Sequence, residues 1–165
     1  MLRKILVWSG SIVIVLLVVF FVWLNSLTKT EPVEAYQINP EATGKKVLIA
    51  TQGSEYKDGL TQTLINELKS KDAYIKVIDV AGLDQTTRKE WGAIIYMHAW
   101  EITEPHESVA NFVGDSFDQN TMFMITTADD GESYMEGIDG ITGESSVANI
   151  ENHTNEIMAW FNASN

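Results

Sequence analysis

The apolar positions of the chain change their spacing repeatedly after residue 46. Four runs have the composition of strands: "VLIAT" (47–51), "YIKVIDV" (74–80), "GAIIYMHA" (92–99) and "TMFMITTA" (121–128). Runs that are apolar throughout predict strands buried on both faces of a parallel sheet, whereas the alternation in residues 74–80 predicts a strand at an edge or next to one. The first, third and fourth runs therefore form the expected centre of the sheet.

Helical spacing separates these runs. The segment after residue 54 places four apolar residues on one helical face: Leu60, Leu64, Ile65 and Leu68. A second helix is predicted between the third and fourth strands, starting near Pro105 and stopping near Gly114. Because strands and helices alternate, the pattern predicts two β-α-β units joined by a short connection.

The last segment, residues 145–161, predicts a terminal helix that lies on the sheet. Its apolar stripe consists of Val147, Ile150, Ile157 and Phe161. The glycine-flanked "GIDGIT" (137–142) before it indicates a brief edge strand.

Short connections of this kind favour right-handed crossovers and an α/β fold with a doubly wound parallel sheet. Five strands in about 120 residues are arranged most economically in the order 2-1-3-4-5, which places a ligand at the carboxyl ends of the strands beside the switch point. The stretch "AGLDQTTRKEW" (81–91) is shorter than a typical helix of about three turns, so helix 2 is expected to be reduced or absent.

The N-terminus carries a different pattern. Residues 5–24 contain no charged side chain and would span about 30 Å as a helix, which matches the hydrocarbon core of a bilayer. The run is longer than the apolar part of a cleaved signal peptide and no Ala-x-Ala site follows it, which favours a transmembrane signal anchor over residues 1–25. Residues 26–44, with two of the three prolines, then predict a linker, and residues 45–165 the folded domain.

Charge gives the predicted orientation of this anchor. Arg3 and Lys4 precede the apolar run, whereas Lys29 after it is followed by Glu31 and Glu34. The positive-inside rule then predicts a single-pass protein of the cell membrane with its C-terminal domain outside the cytoplasm.

Composition excludes several function classes. The chain has no cysteine, which excludes disulfides, thiol catalysis and cysteine-held metals or clusters. After Lys4 it has nine Lys and Arg residues against 23 Asp and Glu, a formal charge of about −14. Such a field repels phosphodiester backbones, so nucleic acid is not expected as a partner. Solubility is the simpler explanation of the acidity.

From Lys45 to its end the chain resembles the flavodoxin-like family. The residues that carry the resemblance are "KKVLIATQGSEYKDG", "AIIYMHAWEITEP", "MFMITTADDG" and the closing "GIDGIT" before a helix that ends in "AWF". The resemblance implies FMN as cofactor and electron transfer as activity. A protein or redox partner is not indicated by any motif.

The family's binding residues map onto three loops of this chain. Thr51, Gln52, Gly53 and Ser54 match the loop that wraps the FMN phosphate, where the amides of a helix N-terminus form an anion site. Trp100 and Tyr134 resemble the aromatic residues that sandwich the flavin ring, and Thr127 lies at the end of the fourth strand.

The phosphate loop departs from the family's hydroxyl-rich pattern. Thr51 and Ser54 are its only hydroxyl residues apart from Tyr56, and Glu55 and Asp58 add negative charge where the phosphate would lie. Each carboxylate would repel the phosphate by about 1 to 3 kcal/mol at separations of about 5 to 10 Å and an effective dielectric constant near 20. Lys57 is the residue expected to offset one of them.

Other candidate chemistry is less specific. His98, Glu101 and His106 lie within nine residues, but they span a strand end and a helix start, so structural roles are favoured over a metal or general-base site. "ADDGES" (128–133) lacks the ligand spacing of a calcium loop and predicts an acidic turn.

Two functions from different classes therefore remain. The first is a membrane-tethered flavodoxin-like domain that binds FMN and transfers electrons. The second is a cofactor-free flavodoxin-like scaffold that serves as an extracytoplasmic interaction or accessory module.

Overall fold

The computed structural model divides the chain into two compact units, residues 1–30 and residues 31–165. The structure describes residues 13–22, 32–101, 104–114, 117–128 and 131–164. In the first unit, residues 13–22 form a helix, α1, with exposed side chains. No helix within the described ranges is both long and apolar enough to cross a bilayer. The predicted span of residues 5–24 extends beyond the described part on both sides.

The second unit is a mixed α/β structure. Its strands are β1 (Tyr36–Ile38), β2 (Lys46–Thr51), β3 (Tyr74–Asp79), β4 (Ala93–Glu101), β5 (Glu104–Pro105), β6 (Met122–Thr127) and β7 (Asp139–Gly143). Its α-helices are α2 (Glu55–Lys69), α3 (Glu107–Val113) and α4 (Ile150–Ala163). The five predicted strands and three predicted helices all have a counterpart in this set.

The seven strands form one sheet with the order β1-β3-β2-β4-β6-β7, and β5 pairs with β4. Five strands are parallel, and only β1 and β5 run antiparallel to their neighbours. Numbered among themselves, the parallel strands have the predicted order 2-1-3-4-5. The chain reverses its direction of winding between β2 and β4, so the carboxyl ends of these two strands flank the switch point.

Each face of the sheet carries its own apolar layer. On one face, Val47, Ile49 and Ile95 pack with the inner sides of α2 and α4. On the other face, Leu48 and Tyr96 belong to a layer that includes residues of α3 and of the connection after β3. Because side chains alternate along a strand, an apolar run such as residues 47–50 supplies both layers, as the sequence pattern predicted.

The connection between β3 and β4 contains no α-helix. Two 3₁₀ turns, Val80–Gln85 and Arg88–Glu90, replace helix 2, as the shortness of this segment predicted. Buried Val80 and Leu83 of the first turn cover the sheet there. This part of the face is therefore covered by a 3₁₀ turn instead of an α-helix.

Residues 36–38 fall within the predicted linker, and the structure corrects this prediction. They form β1, which pairs with β3 through Tyr36 opposite Val77 and Ile38 opposite Ile75. Just before it, the backbone amide of Val33 donates a 3.0 Å hydrogen bond to the Asp79 carboxylate at the end of β3. The folded unit thus begins upstream of Lys45, and β3 lies next to the edge strand.

One predicted apolar position of the terminal helix is also corrected. Val147 lies in a 3₁₀ turn before α4 and is 49% exposed, whereas Ile157 and Phe161 are buried. The apolar stripe that contacts the sheet therefore begins at Ile150, which is partly buried against the α2 layer.

Candidate ligand site at the carboxyl edge of the sheet

Buried polar side chains concentrate where the central strands end. Six of the nine buried polar residues in the described part of the chain lie at the ends of β2, β4 and β6 or at the start of α2: Thr51, Gln52, Lys57, His98, Thr126 and Thr127. We call this region the carboxyl edge. It coincides with the switch point, where the topology favours a ligand.

The start of α2 supplies backbone donors to this edge. Ser54 is the N-cap residue in an extended conformation, and its Oγ accepts a 3.2 Å hydrogen bond from the Lys57 amide. The Asp58 amide donates to the Ser54 carbonyl at 2.8 Å. The amides of Glu55 and Tyr56 have no acceptor among the described residues. Two of the four unpaired amides of this helix end therefore stay available to an anion.

The two acidic residues of the predicted phosphate loop are exposed to solvent. Glu55 and Asp58 are exposed in the first turn of α2, while Tyr56 and Lys57 between them are buried. The expected repulsion of a phosphate is therefore reduced, because both carboxylates face solvent, where water screens them. Their position also stabilises the helix through its dipole.

Lys57 is the only buried Lys or Arg among the described residues, with 2% of its surface exposed. No hydrogen bond or ion pair joins its amine to another described residue, although the charge of the exposed Asp58 carboxylate acts on it. Burial lowers the pKa of Lys57 to about 8, against a smaller opposite effect from Asp58. The side chain thus places a poorly solvated amine at the carboxyl edge.

His98, at the end of β4, is fully buried and neutral. Burial lowers its pKa to about 4, and the nearby charge of Lys57 contributes to the same shift. Its Nδ1 donates to the Ala99 carbonyl at 3.1 Å, so Nε2 accepts from the Thr126 hydroxyl at 2.9 Å. The ring is a satisfied structural group, which was the favoured interpretation of this residue.

Three other predicted site residues are occupied by internal hydrogen bonds. The Thr51 hydroxyl donates to the Gln52 carbonyl at 3.3 Å, and the Thr127 hydroxyl donates to the His98 carbonyl at 3.2 Å. The Gln52 side-chain oxygen accepts a hydrogen bond from the backbone amide of Ala99. The backbone amide of Gln52 donates to the Met97 carbonyl. The hydrogen bonds of Gln52 join the ends of β2 and β4, and that of Thr127 joins β6 to β4, while the Thr51 hydroxyl bonds its own neighbour. These groups therefore present few free donors to a ligand.

The two predicted aromatic residues are more exposed than the buried polar side chains of the carboxyl edge. Trp100 is half-buried on the hairpin that β4 forms with β5, opposite Pro105. Tyr134, in the loop after β6, is 55% exposed. Neither ring contacts another aromatic ring in the described part of the chain. Gly53 lies half-buried between Gln52 and the N-cap residue.

The remaining acidic and histidine candidates do not assemble into a metal site within the described ranges. His106 Nε2 lies 3.9 Å from the Glu101 carboxylate, whereas His98 faces Thr126 instead. No three metal-ligating side chains come together among the described residues. Asp129 and Asp130 of the acidic turn lie outside them.

Sequence reasoning missed Thr126, whose hydroxyl donates to Nε2 of His98. Its partner is 28 residues away, and the pair forms because His98 and Thr126 are opposite each other in the parallel β4–β6 register. Tyr36 was missed as well, since it lay in the predicted linker. Partial burial raises the pKa of its phenol, and the negative charge of Asp58 at the start of α2 adds to this shift.

Comparison with known proteins adds no assignment. No protein-family model matches the chain, and no curated protein matches its sequence. The candidate site is therefore assessed on its geometry and chemistry.

Proposed function

We propose that residues 31–165 form a flavodoxin-like domain that binds FMN at the carboxyl edge and carries electrons, tethered to the cell membrane by the N-terminal apolar segment. The observation that carries this proposal is the start of α2 at the switch point. It offers the amides of Glu55 and Tyr56, which have no acceptor in the described part of the chain, while its two carboxylates face solvent. An N-terminus of this kind is suited to a phosphate group.

Different residues of the site would bind the phosphate and the ring system of FMN. The loop from Thr51 to Ser54 and the first turn of α2 would hold the phosphate, while Trp100 and Tyr134 are accessible enough to stack on the ring system. When bound, FMN supplies one- and two-electron transfer, and the protein supplies position and electrostatics. The parallel strand order 2-1-3-4-5 supports the same interpretation, since it is the order of the flavodoxin-like fold.

Titration of the full-length chain with FMN tests the cofactor. We expect the fluorescence of FMN to be quenched on binding to protein in detergent micelles, because stacking on Trp100 or Tyr134 quenches a flavin. Riboflavin, which lacks the phosphate, should bind more weakly. Unchanged FMN fluorescence at protein concentrations of tens of micromolar would reject the FMN-binding function.

One observation favours a second function, a cofactor-free scaffold that acts as an extracytoplasmic interaction or accessory module. The side chains of Thr51, Gln52 and Thr127 are already engaged in internal hydrogen bonds. A site whose hydroxyls are engaged in this way has fewer groups for a ligand. This function predicts a colourless protein whose thermal stability does not change when FMN is added.

The membrane tether and its orientation have a separate test. Protease added to intact cells should remove the C-terminal domain if it lies outside the cytoplasm. Protection in intact cells, followed by cleavage after lysis, would reverse the proposed orientation. Release of the whole chain by alkaline carbonate washing would instead reject the tether.

A further inference from the structure

The amine of Lys57 is the least explained group of the carboxyl edge. Its side chain is 2% exposed, although the other seven Lys and Arg residues of this unit are exposed or half-buried. Burying an ammonium group without a partner costs several kcal/mol in proteins. A side chain in the first turn of a helix has an easy route to solvent, so its burial indicates that neighbouring groups hold it inward.

The groups around Lys57 do not neutralise it. Asp58, from the same helix, is exposed, and His98, from the end of β4, is neutral and makes its hydrogen bonds to Ala99 and Thr126 instead of Lys57. Partial burial and, to a smaller extent, the charge of Asp58 raise the pKa of the Tyr36 phenol, from β1, so it too is uncharged. The surroundings thus contain a positive charge, free amides and no internal anion among the described residues.

We propose that Lys57 is the charge partner of a bound phosphate group, and that the carboxyl edge recognises phosphate monoesters through this amine and the first amides of α2 rather than through loop hydroxyls. This inference rests on the proposed function for its location but not for the identity of the ligand. It names a ligand class, since a dianionic phosphate monoester would neutralise both the amine and the helix end.

The arrangement differs from a hydroxyl cradle in one measurable respect. The Ser54 hydroxyl is occupied by the Lys57 amide, and the Thr51 hydroxyl by the Gln52 carbonyl. Loss of either hydroxyl should therefore weaken phosphate binding little, while loss of the amine should weaken it strongly. A charge-assisted hydrogen bond corresponds to about a 10- to 100-fold change in affinity.

The test compares Lys57→Met with Lys69→Met in the full-length chain. Lys69 is exposed in the last turn of the same helix, so its substitution removes the same charge away from the site. Calorimetric titrations use three probes: FMN, riboflavin and inorganic phosphate. We expect Lys57→Met to weaken FMN and phosphate binding about 10- to 100-fold, with riboflavin binding unchanged and Lys69→Met like the parent chain.

Thermal unfolding of both variants provides the second readout. Lys57→Met should unfold at a higher temperature than the parent chain, so weaker binding by this variant cannot be attributed to misfolding. A lower unfolding temperature for Lys57→Met, matched by Asp129→Asn or Asp130→Asn, would overturn the inference, because the amine would then be neutralised within the chain.

The outcomes separate the inference from the proposed function. Phosphate binding that depends on Lys57, without any FMN binding, would support the inference and reject the FMN carrier. FMN binding of equal strength in the parent chain and Lys57→Met would overturn the inference and leave the FMN carrier standing. Absence of phosphate binding at millimolar concentrations would also overturn it.

Discussion

The interior of the sheet and its carboxyl edge use burial in opposite ways. In the interior, Ile49, Ile95 and Leu64 are fully buried among other apolar side chains, and burial stabilises the fold. At the carboxyl edge, burial holds Lys57 and His98 in states that water would not favour, because it lowers the pKa of both groups. The first region lowers the free energy of the native state and the second raises it.

This difference is informative about function. A native structure retains poorly solvated titratable groups where they have a task, and such groups cluster at sites of binding and catalysis. The hydrogen bonds of His98 satisfy its ring, so its burial has a structural explanation. The amine of Lys57 has no hydrogen-bond partner among the described residues, so its burial lacks such an explanation. The comparison therefore points to this residue.

The largest expected effect belongs to the interior. Ile95→Ala removes three carbon atoms from the centre of β4 and should lower the free energy of unfolding by about 4 kcal/mol, because a cavity remains that neighbouring residues do not fill. Urea unfolding measures the change. Lys46→Ala at the exposed start of β2 serves as the control and should change stability by less than about 0.5 kcal/mol.

The next effect has the opposite sign. Lys57→Met should raise the free energy of unfolding by about 3 kcal/mol at neutral pH, because the folded-state pKa of about 8 lies below the ordinary 10.5. The folded chain binds fewer protons than the unfolded chain between these values, so wild-type stability should also increase as the pH rises through them. Lys69→Met should change little, and a destabilised Lys57→Met would contradict the comparison.

Lowering the pH should reduce the stability of the fold through protonation of His98. The folded-state pKa of about 4 lies below the ordinary 6.5, so the unfolded chain binds the proton first and stability falls as the pH is lowered. Between about pH 7 and about pH 5 this group should account for a loss of about 2 kcal/mol.

The difference between wild type and His98→Gln isolates this effect. The other two histidines are present in both proteins, so their contributions cancel when the two pH dependences are subtracted. Equal pH dependence in the two proteins would show that His98 is not the group responsible.

The smallest effect concerns a buried hydroxyl of the interior. Tyr96 Oη has no hydrogen-bond partner in the described part of the chain, so Tyr96→Phe should leave stability unchanged or raise it by up to about 1 kcal/mol. Tyr56→Phe is the matched control, because it removes the 2.6 Å hydrogen bond to His153 and should lower stability by about 1 kcal/mol. A clear loss in Tyr96→Phe would reveal a partner for its hydroxyl.

Prediction from the sequence succeeded where a local pattern was sufficient. Four apolar or alternating runs and the glycine-flanked segment 137–142 indicated the five parallel strands, and the short segment 81–91 indicated that helix 2 is reduced or absent. It failed for β1, because three residues carry too short a pattern and their strand conformation depends on the free edge of β3. The prediction placed Val147 on the buried face of the terminal helix, because the helical spacing of apolar residues extends through the 3₁₀ turn in the sequence. In the structure Val147 lies in that turn and is exposed.

For the candidate site, the sequence identified residues but not their directions. Glu55, Lys57 and Asp58 were recognised as the charges of the loop, yet which of them faces the carboxyl edge depends on how α2 lies on the sheet. The hydrogen bond between His98 and Thr126 likewise required the β4–β6 register.

The sequence by itself determined the alternation of strands and helices, because apolar spacing requires each element to bury one face or two. It also determined the charge balance and the absence of thiol chemistry. Only the tertiary structure decided that the two carboxylates of the first turn of α2 face solvent and that Lys57 between them is buried. The physical reason is that neighbouring helix positions point in different directions, and packing against the sheet selects which of them is removed from water.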